Sequence, residues 1–208
     1  MIRLFDLKGK KVVKDLRVLL KDMEKFVRDP RWLWNGRDFK NFNLRAREIW
    51  ALWLLCVVVN QVDDVDCTFG ETTEGDGVII DKRSGKVTII ENVAAMDFPN
   101  TSLPRGEERI IQAIMHKASY GEKYATGKVL VVFYDGAHRA EPNKVAKSVA
   151  GRHHFDQIYL VGLINDKGGT EYKYSVMRLN EKDAQISVVK ISSDFSDWQL
   201  LDPRNFLS

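Results

Sequence analysis

Cysteine is scarce in this chain of 208 residues, which holds only Cys56 and Cys67. Two cysteines cannot build a disulfide framework, and their spacing is not that of metal ligands, so a reducing cytoplasm is the expected setting. Long hydrophobic runs are missing too. The longest, Ile49 to Val59 with its strongly apolar part from Ala51, is eleven residues, too short to cross a bilayer as a helix, and no membrane partner is expected. The opening MIRLFDLKGKKVV has no apolar core of a secretory signal. No P-loop, GxGxxG, HExxH or GxSxG motif occurs, which removes the commonest phosphate-loop, dinucleotide, zinc-peptidase and serine-hydrolase signatures. Repeats and flexible linkers are also lacking. What remains is 44% hydrophobic and 29% charged, the composition of a globular chain long enough for a substantial core.

The net charge of +3 conceals segregation. Residues 1–50 carry 14 Lys and Arg against 7 Asp and Glu, whereas residues 51–100 carry 3 against 9. Such a split suits a basic binding surface beside an acidic, cation-seeking centre, or simply two solvated surfaces that differ.

Hydrophobic periodicity predicts a helix over 10–28, with Val13, Leu16, Leu20, Met23 and Val27 on one face, ended by Asp29-Pro30. A second helix is expected from Leu44 to Asn60, capped by Asn43 and apolar on most sides after Glu48. The acidic, glycine-bearing stretch Val62–Gly77 reads as loop or irregular edge. Gly77–Asp81 and Lys86–Ala95 read as a β-hairpin about the turn Lys82-Arg-Ser-Gly85. A helix over Gly106–Ser119, a buried strand over Lys128–Tyr134 and a helical or loop stretch over Pro142–Val149 follow. Strands are expected over Phe155–Leu163, Tyr172–Leu179 and Ile186–Ile191, with a tail from Asp197-Trp198 packing back and a hairpin turn at Lys167-Gly-Gly. The expected fold is α/β or α+β, a central mixed sheet flanked by helices.

One constellation carries chemistry. Asp76 precedes a strand, and Glu91 lies in the middle of its partner between Ile89, Ile90, Val93 and Ala94. A carboxylate there costs several kcal/mol, about 2–7 for an uncompensated polar group, unless a cation, a network or a metal compensates it. Two carboxylates from paired strands suit Mg2+ or Mn2+, which takes oxygen ligands. A plain ion pair for Glu91, with Arg47 for example, and a turn-shaping role for Asp76 are the simpler alternatives.

The run GDGVIIDKRSGKVTIIENVAA, followed by a helix and KVLVVFYD, resembles the core of the PD-(D/E)XK nuclease-like superfamily, restriction-endonuclease-like in fold. By that resemblance Asp76 is the motif's first Asp, with Gly75 where a proline often stands, Glu91 its acidic residue, and Glu48 the carboxylate of the first core helix. The resemblance covers residues 43–135 and divides a single domain into a basic helical extension (1–42), a nuclease-like core (43–135) and sheet-completing strands (136–208). It implies a metal-dependent phosphodiesterase acting on nucleic acid, with Asp76, Glu91 and Glu48 holding Mg2+ or Mn2+.

The chain departs from the pattern at one position. The motif lysine belongs two residues after Glu91, on the same strand face, where this chain has Val93. A replacement from the following helix, Gln112 or Lys117, is implied by members of the superfamily that draw their lysine from it. Glu108, Gln112 and His116 share one face of that helix, with Lys117 about 100° away; a solvated polar face is the alternative. If no replacement arrives, the chain is a nuclease-fold protein serving as a nucleic-acid- or protein-binding module.

Other features are weaker. Arg31, Trp32, Trp34, Arg37 and Lys40, with Phe39, suit base stacking and phosphate contact, or pin the first helix to the core. The same tryptophans admit a homodimer or scaffold role. Asp63, Asp64 and Asp66 lack EF-hand spacing and read as a solvated loop, and His153-His154 does not suit two-point metal binding.

Overall fold

The structure is a computed structural model. It describes residues 11–29, 31–34, 39, 42–96, 106–134, 140–165 and 171–202, with the backbone alone at Trp34 and Asn165. Six helices occur among them: α1 (Leu16–Arg28), α2 (Arg31–Trp34), α3 (Ala46–Val62), α4 (Glu107–Ala118), α5 (Glu122–Ala125) and α6 (Pro142–Val149). Eight strands accompany them: β1 (Cys67–Gly70), β2 (Gly77–Asp81), β3 (Val87–Ala94), β4 (Lys128–Phe133), β5 (Gln157–Asn165), β6 (Tyr172–Leu179), β7 (Ala184–Ile191) and β8 (Trp198–Leu201). The strands form one sheet in sequence order, parallel at β3–β4 and β4–β5 and antiparallel elsewhere. This is an α+β fold with a mixed sheet. No helix among the described residues is long and apolar enough to cross a membrane.

Helix α3 fixes the arrangement. Its residues from Ile49 to Val58 are all buried, because the sheet lies under one side and α1 and α2 cover the other. A helix apolar all round is stable only when enclosed. Trp50 and Trp53 stack at 4.8 Å, Trp50 meets Tyr174 edge-on, and the Trp53 indole N–H donates to the Leu16 carbonyl at 2.8 Å. The N-terminus of α3 is closed by Glu48, whose carboxylate accepts from the Arg45 N–H at 2.9 Å. Arg45, not Asn43, is therefore the capping position. The opposite sheet face is covered by α4 and α6 over Ile110, Ile114, Val145, Leu130, Val132 and Leu160.

Three differences from the sequence reading have physical causes. Helix α1 begins at Leu16 rather than at residue 10, because the Asp15 carboxylate accepts from the Arg17 and Val18 N–H groups and Val13 pairs with Phe69 instead. Strand β1, inside the stretch read as loop or irregular edge, is a regular edge strand because its four residues are all buried beside β2. The tail contributes β8 on the edge of β7. Asn35-Gly36, the loop at Pro99–Pro104 and Lys167-Gly-Gly lie outside the described residues.

Trp53→Ala removes a fully buried ring and its hydrogen bond, so unfolding in urea should shift to a lower midpoint with the slope unchanged, a loss of about 3–5 kcal/mol.

Candidate functional site: a carboxylate–lysine cluster

Alternation along β3 puts Ile90 on the α3 face and Glu91 on the α4 face. Glu91 is a buried charge, its side chain 6% exposed, and the fold compensates it from three directions. Lys128, at the start of β4, shares the Glu91 face because Leu130 is Glu91's partner in the parallel register; its ammonium lies 2.7 Å from Glu91 Oε1. Lys117, in the last turn of α4, donates to Glu91 Oε2 at 2.9 Å. The Tyr124 hydroxyl, from α5, also donates to Glu91 Oε2, and accepts from Lys117 at 3.1 Å. The Lys128 ammonium sits 4.3 Å from the centre of the Tyr124 ring, a cation–π contact.

Asp76 completes the cluster. Its N–H donates to the Ile90 carbonyl at 2.9 Å, and its Oδ2 accepts from the Asn92 N–H at 2.7 Å, so the residue is bound to β3. The same oxygen lies 3.6 Å from Lys117 Nζ. Gly75 makes this approach feasible: a Cβ there would fall 2.7 Å from the Ile90 carbonyl oxygen. Side-chain exposure rises from 6% at Glu91 through 16% at both lysines to 35% at Asp76, so Glu91 is the floor and Asp76 the mouth. Glu48 and Asp76 line one cleft of about 270 Å³ with Glu71, Thr72 and Thr73.

The protonation states follow from these contacts. Burial alone would raise the Glu91 carboxyl, but hydrogen bonds from Lys128, Tyr124 and Lys117 outweigh it and hold the pKa below the ordinary value. Burial works to lower that of Lys117, yet its bonds to Glu91 and Tyr124 and the charge of Asp76 raise it, so it is an ammonium throughout the neutral range. Burial and the bond to Glu91 push Tyr124 up to about 12, which keeps it a donor. Burial, helped by the charge of Asp76, pushes the Glu48 carboxyl up.

The structure therefore brings Asp76, Glu91 and Lys117 into contact and sets Glu48 on the wall of the same cleft. Gln112 does not join them. It lies five residues before Lys117, about 140° round the helix, and is exposed, as are Glu108 and His116. Arg47 is not Glu91's partner; Lys117 and Lys128 are. Lys128 and Tyr124 escaped the sequence reading, since one depends on strand register and the other on the break between α4 and α5.

In the aromatic and basic segment, the described side chains have partners within the fold. Trp32 packs against the core with its ring edge-on to Phe26, and Arg31 forms a two-point pair with Asp29 at 2.8 and 2.7 Å. The side chain of Trp34, and all of Arg37 and Lys40, lie outside the described residues. Three of the four cations of α1 meet the turn before β8: Arg17 pairs with Asp197, Lys21 donates to the Asp194 carbonyl and Arg28 to that of Ser193. Asp63, Asp64 and Asp66 pair with Arg178, Arg83 and Lys82 at the surface.

Among the described residues no three Asp, Glu, His or Cys side chains are grouped to hold a metal ion. Mg2+ does not need such a cage, since it takes one or two carboxylates and completes its shell with water and substrate phosphate. Asp76 Oδ2 and Glu91 Oε2 already face one cation, the Lys117 ammonium. Hard oxygen donors converging on one position fit Mg2+ or Mn2+. No protein-family model, curated protein or solved structure matches this chain.

Glu91→Gln should cost about 3 kcal/mol at neutral pH, the low end for a broken buried pair, because both lysines retain a route to water. A depressed carboxyl contributes stability above its unfolded pKa and loses it as pH falls through the folded one. Urea unfolding of the metal-free protein should accordingly show wild-type stability falling below about pH 4.5, with a shallower fall in Glu91→Gln.

Proposed function

We propose that this chain is a phosphodiester hydrolase acting on nucleic acid with Mg2+ or Mn2+, of the PD-(D/E)XK-like type, working in the cytoplasm. The observation that carries the reading is the position of Lys117. The motif requires an amino group beside its two carboxylates, and Val93 cannot supply it. Lys117 reaches 2.9 Å from Glu91 and 3.6 Å from Asp76 out of α4 instead. The order α3, β2–β3 hairpin, α4, β4 is that of the core the motif belongs to, which supports the same reading.

Asp76, Glu91 and, from the facing wall, Glu48 would hold the ion, which supplies a hydroxide nucleophile near neutral pH and neutralises phosphate charge. Lys117, firmly protonated, presents positive charge to the phosphate and strengthens that interaction as charge develops. Lys128 and Tyr124 hold Glu91 ionised and oriented. Two ammonium groups balance two carboxylates within the cluster, so phosphate binding there depends on added positive charge.

One observation favours a second reading, a nuclease-fold binding module without chemistry. Both Glu91 oxygens are already engaged by Lys128, Lys117 and Tyr124.

Hydrolysis of labelled DNA and RNA oligonucleotides with Mg2+ and Mn2+ separates the two. Wild type should cleave, and Lys117→Ala should lower turnover about 10²–10³-fold, the usual effect of deleting one group that stabilises transition-state charge. Asp76→Ala should be at least as damaging. Salt-sensitive binding without any cleavage would select the module.

A further inference from the structure

Beside the cluster, a row of rings runs outward to the surface. Tyr124, whose hydroxyl touches Glu91 and Lys117, meets Tyr120 edge-on with ring centres 5.0 Å apart. Tyr120 meets His116 at 5.3 Å, and its hydroxyl is 3.1 Å from His116 Nε2. Tyr120 is 53% exposed, among the most exposed large hydrophobic side chains of the described residues. Its place is set by the backbone. The Tyr120 N–H donates to the Lys117 carbonyl, the Gly121 N–H to that of Ala118, and Gly121 turns the chain at φ +91. A Cβ at Gly121 would meet nothing within 4 Å, so glycine is needed for the backbone angle, not for room.

An exposed phenol ring usually moves among rotamers. Here a hydrogen bond and two edge contacts restrict it, which leaves a ring already ordered for a planar partner. The ammonium groups of Lys128 and Lys117 lie 4.3 and 5.8 Å from the centre of the neighbouring Tyr124 ring. A planar, sequence-tolerant surface next to ammonium groups, with a bound divalent ion adding the net positive charge, is the combination used to bind single strands.

We propose that Tyr120, steadied by His116, stacks one unpaired nucleobase next to the phosphate held at the Asp76–Glu91–Lys117 cluster, so that the substrate is single-stranded or locally unpaired nucleic acid. This rests on the phosphodiester reading above and adds the strand state of its substrate. In a duplex both faces of each base are already stacked, so the platform engages a base only after it leaves the helix.

Fluorescence anisotropy tests this with labelled oligonucleotides, DNA and RNA, single-stranded or annealed to their complements, in buffer containing Ca2+ to supply the cation. Wild type should prefer the single strand. Tyr120→Ala should lose about tenfold in single-strand affinity, leave duplex affinity unchanged, and keep the salt slope because no phosphate contact is removed. Tyr120→Phe and Tyr120→Trp retain a ring and should bind within about threefold of wild type. Equal losses in Ala, Phe and Trp variants would make the residue structural and overturn the platform. Binding that Lys117→Ala weakens and Tyr120→Ala leaves intact would overturn the platform alone. If wild type bound no oligonucleotide, the phosphodiester reading and the platform would both fall.

Discussion

A carboxylate buried in the middle of an apolar strand is the constraint on which this site depends. Glu91 cannot stay ionised beneath α4 without cations close by, and moving such a charge out of water costs several kcal/mol. Lys117, Tyr124 and Lys128 answer that demand from three consecutive elements, 26, 33 and 37 residues along the chain from Glu91. Their convergence also fixes the geometry between β3, β4, α4 and α5. One oxygen of Asp76 faces the same ammonium from the open side.

Helix α3 does for the other sheet face what the cluster does for this one. Enclosed between α1 and the sheet, it anchors the N-terminal segment through Trp53 and Leu16 and holds Glu48 at the cleft that Asp76 opens. The charge asymmetry of the chain is thereby divided. Three cations of α1, Arg17, Lys21 and Arg28, are drawn to the turn before β8, away from the cluster.

What was legible in the sequence was local. The β2–β3 hairpin follows from a four-residue turn between apolar runs, and the unusual setting of Glu91 is visible from its neighbours alone. Helical spacing offered both Gln112 and Lys117, and only packing of α4 on β3 decides between them, because residues 140° apart cannot face one site. Lys128 depends on the parallel register of β3 with β4, which no feature of either strand encodes by itself. Strand β1 was hidden by the acidic residues around it, since four residues carry too little periodicity. Asn43 looks like the cap of α3, but the Arg45 N–H donates to the Glu48 carboxylate and the helix starts two residues later.

The centre of the proposal is that Asp76 and Glu91 accept a divalent cation beside the Lys117 ammonium that they share. Isothermal titration of Mn2+ into the wild-type protein and into Asp76→Asn tests it most directly, since Asp76 is half-exposed and its replacement leaves the Glu91 network in place. The account predicts one saturable site in wild type that is lost or weakened at least tenfold, about 1.4 kcal/mol, in the variant. Absence of binding in wild type, or equal binding in both proteins, would contradict it.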